Sequence, residues 1–426
     1  MQVPSGVETW LSDVRAALGD NHVRANLVTN AVRRTIADGI DLFDDGTAFV
    51  RTGDIPAMWL RDSTAQVRPL LAAAHHGDVA DLLTAVNRRQ LRYVTIDPYA
   101  NAFNAEPNNA GYHRDFDDQS PWVWERKYEL DSAAWVFDLA ARIYATTGRT
   151  DHLDDTWIAA VQAMVELWRV EQDHASSNYR FVRPDVPPHD TLSHDGYGSP
   201  VDTTGLVWSG FRPSDDSCIF GNLVPSNAFA AVALEKTTAL LSQVAASDAI
   251  ADECTNLAAQ IRAGIADHAV IDIAGHGRVY AYEVDGFGHS VAQDDANIPS
   301  LLALPYLGWC GPDDDTYRRT RDYVLSQTNP FYVAGKFAAG VGSAHTPPNN
   351  VWPLALAMQG LTSTSAVERA TLLTVLEATT ADTGYMHESF DVNDDALFTR
   401  PWFSWADMTY VELVLATLGM SPSVDW

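Results

Sequence analysis

The amino-acid sequence predicts an all-α fold, an (α/α)6 barrel of six helical hairpins whose long loops gather at one mouth to form an active site. Three observations lead there. Apolar residues recur with a period near 3.6, while alternating strand patterns are scarce. Gly77, Gly148, Gly311 and Gly360 each follow one periodic segment and closely precede the next, the punctuation of tight helix–helix turns. Connections also alternate between short and long, and the helix after each long connection is the blander of its pair.

In chain order, caps and glycine stops predict helices over 7–19, 23–38, 62–76, 78–95, 131–148, 151–169, 226–243 and 247–268, then over 296–307, 314–325, 351–360, 365–380 and 405–419. Pro69 is expected to bend the third of these. Long connections occupy about 45–61, 96–130, 170–225, 269–295, 326–350 and 381–404. The segments "SAAWVFDLAARIYA" (132–145) and "NAFAAVALEKTTALL" (227–241) are apolar or small nearly all round, as buried inner helices must be. Their partners carry a polar face, as in "DVADLLTAVNRRQLRYV" (78–94), and belong outside. Six long loops then lead into six inner helices, provided the last helix pairs with an N-terminal one. No linker or low-complexity stretch interrupts the chain, so residues 1–426 are expected to form a single catalytic domain.

Composition limits what such a domain can bind. The net charge is −28, and Lys127, Lys236 and Lys336 are the only lysines among 28 basic residues. That surface repels nucleic acid and anionic membranes, and it tolerates a neutral ligand such as a sugar. No apolar run approaches the roughly 18–20 residues of a membrane span. The opening "MQVPSGVETWLSDVRAAL" lacks the basic and apolar regions of a signal peptide, which gives a cytoplasmic expectation. Cys218, Cys254 and Cys310 are odd in number and widely spaced, so reduced thiols are expected. Nothing speaks to oligomeric state.

The long loops hold the unusual residues. Between 52 and 407 they contain "TGDIPAMWLRDS", "NAFNAEPNNAGYHRDFDDQSPWVWERKYELDS", "WSGFRPSDDSCIFGNLVPSN", "FGHSVAQDDANIPSL", "GKFAAGVGSAHTPPNNVWP" and "TGYMHESFDVNDDALFTRPWFSWAD". In each, aromatic rings alternate with Asp, Glu, Asn, Arg or His. A pyranose needs this mixture, because it offers apolar faces for stacking and hydroxyls for paired hydrogen bonds. Asp215 and Asp216 are adjacent, so ionising one opposes ionising the other and can keep a general acid protonated. Glu388, among Tyr385, His387 and Phe390, can serve as the ionised base that glycoside hydrolysis also requires.

Plainer roles compete at each position. The chain holds 56 acidic residues, most of which must be surface groups or caps. Asp62, Asp131 and Ser226 each stand just before an expected inner helix, where N-capping explains them equally well. Trp59, Trp122 and Trp402 suit a core as well as a stacking platform. His289, His345 and His387 share no metal-binding spacing, so neither a metal nor a cofactor is expected. "GKFAAGVGS" lacks the spacing of a phosphate cradle.

Taken together, "TGDIPAMWLRDS", "WERKYELDS", "GFRPSDD", "DDANIPSLL", "VGSAHTPP" with "VWP" following, and "GYMHESF" resemble glycoside hydrolase family 125, the exo-acting α-1,6-mannosidases. The motifs run in order over about residues 20–420. The resemblance implies an (α/α)6 barrel and metal-independent hydrolysis with inversion, releasing mannose from the non-reducing end of an α-mannoside such as mannobiose or an N-glycan fragment. It implies a general acid in "RPSDD", at Asp215 or Asp216 with Asp215 favoured, and a base at Glu388. Arg61 and Asp62 would grip the terminal mannose with His345 nearby, and Trp59, Glu125, Asp216, Asp295, Asn297 and Trp402 complete the expected sugar contacts. Inversion would separate the two catalytic carboxyls by roughly 6.5–9.5 Å, and exo action would need a blind pocket. A glucoamylase-like hydrolase, a sugar epimerase and a non-catalytic carbohydrate-binding protein remain as alternatives on the same fold.

Overall fold

The computed structural model describes residues 1–244 and 248–422. About 48% of the chain is helical and the strands form only two- and three-stranded sheets, so the fold is all-α. Two compact units are distinguished, one made of Met1–Gln90, Leu139–His152 and Phe331 onward, the other of Leu91–Asp138 and Leu153–Pro330. All the expected helices but one appear within a few residues of their expected ends.

In the first unit the helices Ser5–Leu18 and His22–Gly39 form a pair, and the Asn21 side chain caps the second by accepting from Arg24 N at 3.1 Å. The segment expected over 62–76 is a helix, Leu60–Val67, that tightens into the 3-10 turn Arg68–Ala73. Pro69 has no N–H to donate and forces that change. The helices Pro353–Leu361, Ala366–Ala378 and Ser404–Leu418 belong to this unit too, as do the first part of Gly77–Ile96 and the last part of Leu130–Thr147. Ser404–Leu418 packs against His22–Gly39, Leu60–Val67 and Pro353–Leu361, and is buried along most of its length. It is the N-terminal partnering that the sixth hairpin required.

The second unit centres on the hairpin Val224–Leu241 and Asp248–His268. Nearly every residue of Val224–Leu241 is buried, as its wide apolar and small-residue faces demand. Fully burying one of its large side chains contributes roughly 1.5–3 kcal/mol, and the Phe229 ring meets Trp135 edge-on at 4.9 Å. Lys236 is carried inside with it and donates to Asp138 at 2.6 Å. Asp155–Glu171 packs alongside Asp248–His268, its first turn capped by Asp154.

Two expectations are corrected. Residues 296–307 are not one helix: only Leu304–Leu307 is helical. Ahead of it the Asp294 carboxylate accepts from Leu301 N (2.8 Å) and Leu302 N (3.0 Å), and Pro299 and Pro305 withhold donors, so the run is a clasped loop. Nor do Asp62, Asp131 and Ser226 cap helices. Each lies inside the first turn, because the helices begin at Leu60, Leu130 and Val224. The two aspartates still complement the positive end of the helix dipole there. Among the described residues no helix is long and apolar enough to cross a membrane.

Candidate functional site

Asp215 stands on a hairpin closed by the Phe211–Ser217 bridge, by Arg212 N donating to the Asp216 carbonyl (2.8 Å), and by Asp215 N donating to the Arg212 carbonyl (2.9 Å). Its φ of +68° is left-handed, a conformation Asp tolerates better than most residues. The turn separates two carboxyls that the sequence places side by side. Asp215 is half-buried, whereas Asp216 is buried and accepts from Ser214 Oγ at 3.1 Å.

A buried polar network surrounds the Asp215 turn. The Asn101 amide reaches Glu125 (3.0 Å), Glu129 (3.2 Å) and Asp215 Oδ1 (3.4 Å). The Lys127 ammonium donates to the Asp215 carbonyl at 2.8 Å and to Asp190. Burial alone would lower its pKa, but Glu125, Asp215 and Asp190 outweigh burial and leave it above the usual lysine value. Arg183 forks onto Asp115 (2.7 and 2.9 Å) and also meets Glu125 (2.9 Å) and Asp190 (3.1 Å). In the same unit Asp295 is buried and accepts from both nitrogens of Asn297 at 2.9 Å. Burial pushes the neighbouring Asp294 up to about 8.

In the other unit Glu388 lies immediately before the strand Ser389–Asp391, which pairs with Asp394–Thr399 and with Asn350–Val351. The residue is 8% exposed, and its carboxylate stands 3.6 Å from Arg400 Nη1. His387 is fully buried, stacked on Phe398 at 3.8 Å, and burial depresses its pKa. Two residues ahead of Glu388, Met386 N donates to Asp407 at 2.7 Å. Asp407 comes from the last helix, and burial pushes it up to about 8.

The remaining expected sugar contacts of this unit differ in accessibility. Trp59, Arg61 and Asp62 are buried at the start of Leu60–Val67, with Arg61 Nε 3.6 Å from Asp62 Oδ2. His345 is exposed. Trp402 is buried, and the Arg34 guanidinium lies over its ring at 4.2 Å and over Tyr385 at 4.4 Å. One face of that indole is therefore occupied by protein.

Asn101, Lys127, Arg183, Arg400 and Asp407 escaped the sequence reading. Lys127 had a signal: a lysine inside an aromatic, acidic motif of a chain with three lysines. Arg183 and Asp407 had none, being one more arginine in a long loop and one more acid at a helix start. Among the described residues no group of three His, Cys, Asp or Glu side chains is arranged to hold a metal ion.

Comparison with known proteins fits this arrangement. The family model described as metal-independent alpha-mannosidase (GH125) matches residues 21–415. The meiotically up-regulated gene 157 protein of Schizosaccharomyces pombe is 37% identical, over 98% of this chain and 86% of its own. A metal-independent α-mannosidase from Streptococcus pneumoniae, solved as a non-productive complex with α-1,6-mannobiose, superposes with a TM-score of 0.96 at 42% identity. That match covers 98% of this chain and 99% of the other. A bacterial glucoamylase in complex with acarbose matches at a TM-score of 0.61 and 15% identity, covering 98% of this chain and 59% of that one; the likeness is one of fold alone. The fold class is the all-α (α/α)6 class shared with glucoamylase-like enzymes. By the extent of these matches, the chain belongs to glycoside hydrolase family 125, the metal-independent α-mannosidases.

Proposed function

We propose that this glycoside hydrolase is an inverting exo-α-1,6-mannosidase that removes terminal mannose from the non-reducing end of mannosides or N-glycan fragments. The observation that carries the reading is the near-complete match to the streptococcal enzyme, which was captured with α-1,6-mannobiose. Asp215 is the general acid and Glu388 the general base, within one catalytic domain. The half-burial of Asp215 supports that choice over Asp216, whose carboxyl is buried against Ser214. Trp59, Arg61, Asp62, Glu125, Asp216, Asp295, Asn297, His345 and Trp402 bind or brace the sugar.

In the reaction the Asp215 carboxyl gives its proton to the glycosidic oxygen as the bond to C1 breaks. A water oxygen bonds to C1 from the opposite face and loses its proton to Glu388. Mannose leaves with inverted anomeric configuration, and solvent exchange returns a proton to Asp215 and removes one from Glu388. Cys218, Cys254 and Cys310 form no disulfide, which suits a reducing compartment such as the cytoplasm.

Incubation with α-1,6-mannobiose, with and without a chelator, tests the reading, with the first-formed anomer followed by NMR. Release of β-mannose that the chelator leaves unchanged is expected. No release, first release of the α-anomer, or loss of activity with chelator would each overturn it.

A further inference from the structure

Asp54 and Arg400 belong to the motif stretches singled out above, yet the proposed chemistry uses neither. Arg400 carries a backbone φ of +40°, in the left-handed region where non-glycine residues are rare. Its guanidinium explains why the chain accepts that conformation. Nε donates to Asp54 Oδ1 at 3.0 Å, Nη2 donates to the same oxygen and to the Thr52 carbonyl at 3.2 Å, and Phe403 lies 4.9 Å beneath. Gly53 has a φ of +59° and lies so close that a Cβ there would meet Arg400 Nη2 at 3.4 Å. With Nε and Nη2 so anchored, Nη1 stands 3.6 Å from Glu388 Oε1.

We propose that Arg400, anchored by Asp54, is the positioning residue of Glu388: it sets the charge beside the base without occupying the oxygen that must take a proton. The proposal rests on Glu388 being the base. At 3.6 Å the contact is an ion pair beyond good hydrogen-bonding distance. The other titratable groups around the loop are engaged elsewhere. His387 is buried on Phe398 with its ring toward the Thr380 carbonyl, Asp407 accepts from Met386, and Arg34 lies between Tyr385 and Trp402.

The test compares kcat and KM on α-1,6-mannobiose for wild type, Arg400→Gln, Arg400→Lys, Asp54→Asn and Glu388→Gln. For Arg400→Gln, kcat should fall roughly 10–100-fold with KM little changed. Arg400→Lys should recover part of that loss, because it keeps the charge. Asp54→Asn loosens the anchor, so its kcat should fall in the same direction by a smaller factor, again with KM little changed. An Arg400→Gln kcat equal to wild type overturns the proposal, and so does an Asp54→Asn kcat equal to wild type. The second outcome decides the matter even if Arg400→Gln does not fold. An active Glu388→Gln enzyme would instead refute the base assignment; an inactive Glu388→Gln beside an unaltered Arg400→Gln refutes the positioning role alone.

Discussion

The surroundings of Asp215 and those of Glu388 are held by different forces. Around Asp215, buried charges satisfy one another: Arg183 serves Asp115, Glu125 and Asp190, while Lys127 serves Asp190 and the Asp215 carbonyl. Around Glu388, rings and one surface-facing ion pair do the holding: His387 on Phe398, Arg34 between Tyr385 and Trp402, and Arg400 with Asp54. Removing one member of a buried network strands the rest in low dielectric, whereas an exposed pair is screened by water. The acid side should therefore be fragile in stability and the base side fragile in turnover.

The sharpest way to break that contrast is to remove the two carboxyls themselves. Asp215→Asn and Glu388→Gln should each lower kcat on mannobiose by a factor on the order of 10²–10⁴. On an aryl mannoside whose leaving group needs no proton, Asp215→Asn should regain most of its loss and Glu388→Gln should not. Equal recovery in steady-state kinetics would cancel the acid and base assignments, and recovery by Glu388→Gln alone would reverse them.

A smaller effect separates the two supporting shells. Arg183→Met leaves three carboxylates short of a partner and should cost about 3–5 kcal/mol in thermal or denaturant unfolding. Arg400→Gln should cost about 1 kcal/mol or less, because the Asp54 side chain is 52% exposed. Similar losses in the two variants would show that the two surroundings are held alike.

The smallest expected effect is a change of slope with pH. Asp407 and Asp294 each titrate near 8 in the folded chain, burial being the main cause. An unfolded aspartate titrates near 4, so the folded chain holds these protons more tightly than the unfolded one. Their contribution to stability is complete below about pH 4 and is lost as the pH rises through about 8. Asp407→Asn keeps an acceptor for Met386 N and should flatten the fall of Tm between pH 5 and 8. Asp294→Asn should flatten it too, but keeps only one oxygen for Leu301 N and Leu302 N. It should therefore lose about 1–3 kcal/mol at pH 5. A Tm slope unchanged in both variants would refute the sign.

Helix periodicity made most of the fold legible, because an apolar stripe or an apolar cylinder is a local property of the chain. It failed over 296–307, where the apolar letters of "NIPSLLALPYL" mimic a helix and Asp294, outside the window, takes the backbone donors instead. It placed Asp62, Asp131 and Ser226 just before their helices, where capping was one reading of them, but the helices start a residue or two earlier. At the site, aromatic and acidic loop residues were visible as types, and the adjacency of Asp215 and Asp216 was visible as a pair. Which of the two is accessible was not, because a left-handed φ at Asp215 decides it. The supporting residues were the least visible. Arg183, Arg400 and Asp407 acquire their meaning from partners between 7 and 346 positions away, with the nearest being Asp190 and the farthest Asp54.

The fate of the lysines has a practical side. Lys127 and Lys236 are buried and paired with carboxylates, which leaves Lys336 as the exposed one of the three. Amine-directed reagents would therefore meet one lysine on the folded surface. A dye, a resin or a crosslinker delivered by that chemistry would attach at a single lysine, and unfolding would announce itself by the appearance of two more reactive lysines.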